Sequence, residues 1–239
     1  MKIEEQMNRL RAFACGDKER SISTVVVKDG IGYATDGRIL VSEKLDEEHE
    51  DVLSREDKKI LPVDSMIKFS KYPDGAKKWF VISSDTKKLE NELSETLRAE
   101  RRRNDRDYQD HYKLVTCPSC GEDVWFDTWE DKLVEEPEPK DVVTLRNVSM
   151  PSCIVFGEEK VNVNFAYMFL VMKSYEAAGF NVEFSYGYVD DNHCNLLFFR
   201  TADGKMKGVL MPLYVSDNES ISDRLIQTKE IGDADARTT

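Results

Sequence analysis

Tyr33-Ala34-Thr35-Asp36-Gly37-Arg38-Ile39-Leu40-Val41 is the stretch from which the fold can be read. Its two arms are strand-like, and Asp36-Gly37 between them accepts the positive φ of a tight hairpin. The pattern continues outward. Ser23 to Lys28, Ile31 to Thr35 and Arg38 to Lys44 read as three strands, the first two separated by Asp29-Gly30. Ahead of them Ile3, Met7, Leu10 and Ala14 recur at helical spacing, Arg9 and Arg11 lie off that stripe, and Gly16 offers a stop. The reading is a helix followed by an antiparallel meander.

Further along, the same order returns. Residues 46–60 are charged and loop-like, and Pro62 to Tyr72 reads as a short helix. Asp64 or Ser65 would cap that helix, with Met66, Ile67 and Phe69 facing inward. Pro73-Asp74-Gly75 is a turn and Trp79 to Ser83 a strand. After a break, Ile154 to Val163 is strand material and Phe165 to Ala178 an almost wholly apolar helix, with Gly179 beyond its end. Three strands follow, Asn181 to Val189, Cys194 to Arg200 and Met206 to Val215. Helix-plus-antiparallel-strand units thus occur about three times, which implies an α+β architecture with one continuous sheet and its helices gathered on one face. Domain bounds follow at 1–85, 86–145 (an insertion), 146–215 and a flexible tail 216–239, with at most a short helix around Ile221 to Ile226.

Two stretches far apart in the chain, Tyr33 to Val41 and Gly208-Val209-Leu210-Met211-Pro212-Leu213, resemble as a pair the bacterial β-type DNA sliding clamps. There an A-T-D-G-x-x-L strand-turn-strand meets a terminal V-x-M-P-x strand. Val161-Asn162-Val163-Asn164-Phe165 is similar to the start of a helix in that family. The resemblance covers roughly the final two-thirds of a β subunit and is absent from the middle of this chain. It implies a DNA-clamp-like fold of helix plus antiparallel-sheet repeats, and a hydrophobic pocket that takes short linear peptides of a DNA polymerase or other clamp-binding proteins. Carried over, Thr35, Gly37, Arg38, Leu40, Met211, Pro212 and Leu213 would form the pocket. The family has His-Arg before its Leu where this chain has Arg38-Ile39, so its peptide preference is altered or the pocket is disused. Read from the residues alone, the two motifs are equally a hairpin and a buried strand.

The family encircles double-stranded DNA in a homo-oligomeric ring with a basic helical lining. Two domains per chain would make that ring a trimer. Arg9, Arg11, Lys68, Lys71 and Lys173, all on expected helices, are the lining candidates, or else plainly solvated residues. With 34 Lys+Arg against 46 Asp+Glu, the net charge of −12 disfavours a surface that grips duplex DNA everywhere. A locally basic lining with an acidic exterior remains open.

The insertion carries two further candidates. Lys87 to Asp110 is charged and helix-prone, and Leu97 to Arg106 is its most basic window. On a helix Arg98, Arg101, Arg102 and Arg106 fall within about 140° of one face. That face either grips phosphates or is an exposed, salt-bridged surface, since Glu95, Glu100, Asp105 and Asp107 are interleaved. Next, Tyr112 to Trp129 reads as a hairpin around Cys117-Pro118-Ser119-Cys120-Gly121, with Lys132 to Lys140 a loop. The Cys117/Cys120 pair is zinc-knuckle-like, with His111 or Cys153 as further ligands; otherwise it is a metal-free hairpin or a redox or intermolecular pair. A structural zinc is thus the one cofactor in view.

Five scattered cysteines argue for a reducing cytoplasm, and no window approaches a membrane span. His49, His111 and His193 have no paired nucleophile, G-x-S-x-G is missing, and Asp190-Asp191 reads as a turn. The expectation is therefore a non-enzyme. Two functions stand: a processivity clamp of the kind used in phage or mobile-element replication, and a clamp-derived, non-encircling protein that binds clamp-client peptides. A lesser alternative has the tail around Leu225-Ile226 folding over the chain's own pocket.

Overall fold

The computed structural model describes residues 3–16, 20, 22–46, 50–53, 62–117, 121–134, 137, 142–188, 195–213 and 224–231. In chain order, α1 (Ile3–Arg11) precedes β1 (Val26–Lys28), β2 (Ile31–Thr35) and β3 (Ile39–Lys44). Then come α2 (Val63–Ser70), a 3-10 turn at Tyr72–Gly75, and β4 (Phe80–Ile82). The middle of the chain holds α3 (Lys87–His111), β5 (Tyr112–Thr116), β6 (Asp123–Asp127) and β7 (Lys132–Val134). The remainder is β8 (Pro151–Phe156), β9 (Glu159–Asn164), α4 (Phe165–Glu176), β10 (Val182–Tyr188), β11 (Asn195–Thr201), β12 (Met206–Leu210) and β13 (Leu225–Glu230). Two compact units result: Met1–Thr86 together with Met150–Thr239, and Lys87–Ser149.

The larger unit is an α+β fold built on one ten-stranded sheet, in the order β1-β2-β3-β12-β11-β10-β4-β13-β8-β9. Its described pairs are antiparallel except β13 with β8, which run parallel. Because side chains alternate across a strand, β3 divides its residues between two layers. Leu40 joins Val26, Tyr33 and Met66 in one cluster, which brings α2 onto that face. The same layer continues through Val209, Phe198, Leu196 and Trp79. On the opposite face Glu43 meets Gln6 and Arg9 of α1 and Tyr175 of α4, and Phe13 stacks on Tyr175 at 6.2 Å. The α4 helix starts where sequence placed it: Asn164 caps it by accepting from the Ala166 N–H at 3.1 Å and ties it down by accepting from Met150 N–H at 3.0 Å.

Three expectations are corrected. The helices do not gather on one face, since α2 lies opposite α1 and α4. Ile39, Leu40 and Val41 are apolar in both directions, so the sequence of β3 does not say which layer a helix covers. The α1 helix ends at Arg11 rather than near Gly16, and Cys15 N–H turns instead to the carbonyls of Ile22 and Thr35. Lastly, the tail is not wholly loose, nor helical at Ile226. Leu225–Glu230 is a strand between β4 and β8, with Ile226 fully buried in the sheet, which also removes the idea of this segment as a cover for the pocket. Residues 214–223 and 232–239 of that tail lie outside the described residues.

The smaller unit pairs the 25-residue α3 with a three-stranded antiparallel meander, β5-β6-β7. Its hairpin register runs from Tyr112↔Asp127 to Thr116↔Asp123. Lys132–Val134, expected in a loop, adds the third strand against Trp125–Asp127. No described helix is long and apolar enough to cross a membrane.

Candidate functional site

The β2–β3 turn is set by its own side chains. Gly37 has φ +92°, a conformation that strains any residue with a Cβ. Asp36 Oδ1 accepts from the N–H groups of Arg38 (2.9 Å) and Ile39 (3.1 Å), and Thr35 Oγ1 accepts from Gly37 N–H (3.0 Å) while donating to Ile39 O (2.6 Å). The other Asp36 oxygen accepts from the Tyr167 hydroxyl of α4 at 2.7 Å. The turn is therefore anchored to the helical layer behind it. Burial first, then the hydrogen bond and charge of Asp36, push the Tyr167 hydroxyl up to about 12. A pKa raised on folding contributes stability that is complete below the unfolded value near 10 and lost as pH climbs through the folded one. We expect Tyr167→Phe to cost about 1.5 kcal/mol near neutral pH. Its urea midpoint should also fall less than the parent's between about pH 10 and 12. Parallel midpoints over that window would show that the Tyr167 proton is not linked to folding.

Across the sheet, β12 pairs with β3 so that Val209 stands opposite Leu40 and Leu210 opposite Ile39. Beyond the ladder Met211 N–H donates to Arg38 O at 2.8 Å, which holds the chain in register past the strand end. Gly208 is required for this closeness: a Cβ there would lie 2.3 Å from both Leu40 O and the Phe199 ring. Where the two strands meet α2, a solvent-open apolar groove of about 210 Å³ forms. Its floor is Leu40, Met66 and Val209, all buried, and its open walls are Met211 and Phe69, 46% and 40% exposed. Exposed Arg38 supplies a cation at the rim.

Of the residues expected at a pocket, Thr35, Gly37, Arg38, Leu40 and Met211 come together on this groove. Pro212 and Leu213 do not line it; Leu213 N–H instead donates to Asn162 O of β9 at 2.9 Å. Sequence reasoning missed the contribution of Pro62, Ser65, Met66 and Phe69, although the Met66/Phe69 spacing was a visible apolar stripe. Phe69 was read as inward but is open, resting edge-on against Tyr72 at 5.2 Å. The groove is chemically an acceptor for apolar side chains, with a flexible thioether at its mouth.

The basic candidates divide. Arg9 is corrected: its side chain is 7% exposed and committed to Glu43 through Nε (3.2 Å) and a short Nη2 contact. Its guanidinium also lies 5.2 Å over the Tyr175 ring. Arg11 is exposed and donates to Asn8 Oδ1 at 2.7 Å, and Lys173 is exposed over the Phe169 ring at 5.2 Å. Lys68 and Lys71 are exposed at α2, hence on the other side of the sheet from α1 and α4. These cations do not share one face. Arg98, Arg101 and Arg102 are exposed on α3, with Arg101 Nε donating to Val143 O at 3.3 Å.

At the C-x-x-C hairpin, Cys117 N–H donates to Glu122 O (2.7 Å) and Gly121 N–H to Cys117 O (2.9 Å), while Cys120 lies outside the described residues. His111 is engaged elsewhere: Nε2 is 3.0 Å from Asp127 Oδ1, and its ring is stacked on Tyr112 and Trp129 at 4.0 and 3.9 Å. The N–H groups of Glu130 and Trp129, together with His111, hold the Asp127 carboxyl below its usual range. Cys153 is buried in β8, and burial pushes its thiol up. Among the described residues, which do not include Cys120, no group of three or more His, Cys, Asp or Glu could hold a metal ion. His49, His193 and Asp190-Asp191 also lie outside the described residues.

No protein-family model matches the chain, and no curated protein matches it significantly. Among solved structures it is similar to a ligand-bound crystal structure of the DNA polymerase sliding clamp from Pseudomonas aeruginosa, at 15% identity and a TM-score of 0.39. The likeness covers 89% of this chain, which spans 65% of that clamp's length. A match of that strength carries no argument about what this chain does.

Proposed function

We infer that the chain is a clamp-like tethering protein that captures a short apolar segment of a DNA polymerase or another DNA-processing partner in the β3–β12–α2 groove. The observation that carries this reading is the antiparallel pairing of β3 with β12, which makes one open apolar groove from the two motifs by which the sequence resembles sliding clamps. The turn is fixed by the Asp36 and Thr35 side chains and the strand end at Met211 by a backbone hydrogen bond, so a peptide would meet a preformed surface with little ordering cost. A second reading, a non-encircling protein that binds the same client peptides, is favoured by the scattered cations: Arg9 is sequestered, and the other four lie on two faces of the sheet.

Light scattering combined with retention on DNA separates the two. A ring-forming clamp is oligomeric and stays on closed circular DNA but slides off the linear form. A monomer that still captures a fluorescent clamp-binding peptide supports the second reading. Absence of peptide capture in any oligomeric state sinks both.

A further inference from the structure

We propose that Arg98, Arg102 and Arg106 on α3 form a ladder that binds the phosphate backbone of duplex DNA. The inference is independent of the groove and of the clamp reading, since it concerns the separate Lys87–Ser149 unit.

Folding gives these residues little reason to be arginine. Within the 25 residues of α3 the buried positions are Leu89 and Leu93, both in its first two turns. From Ser94 onward no residue of the helix is fully buried; Leu97, Glu100, Asn104, Tyr108 and His111 are half-buried along one face, and the ladder stands on the other. Arg98, Arg102 and Arg106 stand at successive i,i+4 positions, and all three are exposed. Like charges at that spacing destabilise a helix by about 0.2–0.5 kcal/mol per pair. The ladder contains two such contacts.

A merely solvated helix surface would offset them with carboxylates, as happens elsewhere in the protein. On α3 itself Arg103 faces Asp107 at 3.8 Å, and in the larger unit Arg200 holds Glu183 at 2.7 Å. The side chains of the three ladder arginines make no hydrogen bond or ion pair among the described residues. Glu95 and Asp105 project into the same arc, which leaves four guanidinium groups, with Arg101, against two carboxylates. That excess is local and cationic in a chain whose net charge is −12.

The spacing suits a regular polyanion. Four residues of helix rise about 6 Å, so the rungs repeat at that interval along a straight rod. Duplex DNA presents one charge per roughly 1.7 Å of axis, twice the density of a single strand, which a sparse ladder needs. Single-strand sites add aromatic platforms for bases. Here Asn91, Ser94 and Gln109 share the arc with the arginines, while the rings of Tyr108 and His111 lie on the half-buried face, about 80° and 140° round from Arg98. The contact would be blind to sequence, since phosphates position a protein without reading bases.

The test is anisotropy of a labelled 30-base-pair duplex with the full chain, titrated from about 50 to 200 mM salt, where each neutralised phosphate contributes about 0.9 to the log–log slope. Arg98→Ala/Arg102→Ala/Arg106→Ala should make the slope shallower by about two to three; alanine keeps the helix, which circular dichroism checks. The corresponding triple lysine variant should retain most of the slope, and Arg103→Ala, about 100° round from Arg102 and already paired with Asp107, should leave it unchanged. A triple alanine variant with the parent's slope overturns the proposal. So does an equal loss in Arg103→Ala, or a loss seen with a single strand but not with the duplex.

Discussion

Replacing Met211 with glutamate should abolish capture of a fluorescent clamp-binding peptide while leaving the melting temperature within a few degrees of the parent. Met211 is 46% exposed and anchored through its backbone, its N–H donating to Arg38 O, so its side chain supports no core that the change would disturb. What changes is the wall of the groove. A carboxylate there must be desolvated when an apolar side chain enters, and the thioether contacts disappear. Losses at a central anchor of this kind exceed about 2 kcal/mol, roughly thirty-fold in affinity. Phe69→Ala should act in the same direction from the α2 side, since Phe69 is likewise open. Leu40→Ala is the wrong probe. At 7% exposure and packed with Val26, Tyr33 and Met66, it belongs to the core, and truncation there costs about 2–5 kcal/mol of folding stability. Undiminished capture by Met211→Glu would remove the groove as the peptide site.

Parts of this arrangement were readable before any coordinates because they are local. Asp36-Gly37 declares its turn through chemistry within four residues, and Asn164 declares a helix start in the same way. The adjacency of β3 and β12 is different. Some 165 residues separate the strands at the Ser42–Lys207 contact, and only the resemblance of the paired motifs brought them together in advance. Where that resemblance was extended mechanically it overreached: Pro212 and Leu213 follow Met211 in sequence, yet the chain has already left the groove for β9. Long-range pairing defeated the reading of Arg9, whose position off the apolar stripe of α1 suggested solvent. Its partner Glu43 lies in the polar half of β3, between Ser42 and Lys44, and nothing nearby in sequence says that the two meet. The β13 strand was missed for a related reason. Leu225-Ile226-Gln227-Thr228-Lys229-Glu230 buries one side chain, Ile226, so its pattern is faint, and it is the slot between β4 and β8 that makes it a strand.

Glu43→Gln should lower folding stability by about 3–5 kcal/mol, a large part of the 5–15 kcal/mol typical of a domain. The Glu43 carboxylate is 3% exposed and accepts from Arg9 Nε and Nη2, from Gln6 Nε2 at 3.2 Å and from the Tyr175 hydroxyl at 3.1 Å. Gln6 is saturated in turn, donating to Lys44 O at 3.1 Å and accepting from Asp46 N–H at 3.0 Å. Burial works against the Arg9 cation, but the hydrogen bonds and charge of Glu43 outweigh it and leave the guanidinium more firmly protonated than usual. Burial, reinforced by Glu43, also keeps Tyr175 protonated well above its ordinary range. Glutamine preserves the shape yet points an N–H₂ group at donors and leaves a buried cation without its counter-ion. The double variant Arg9→Met/Glu43→Leu should recover part of the loss, because a paired charge exchanged for apolar volume is close to neutral. A cost below about 1 kcal/mol for Glu43→Gln would mean that Arg9 swings out to water and that the network is not structural. Glu43 lies on the back of the strand whose front carries Leu40, so peptide capture discriminates further. If the network only holds the strand, Glu43→Gln binds peptide with parental affinity per folded molecule, the converse of Met211→Glu. An affinity loss in fully folded Glu43→Gln would show instead that the buried charges set the shape of the groove across the sheet.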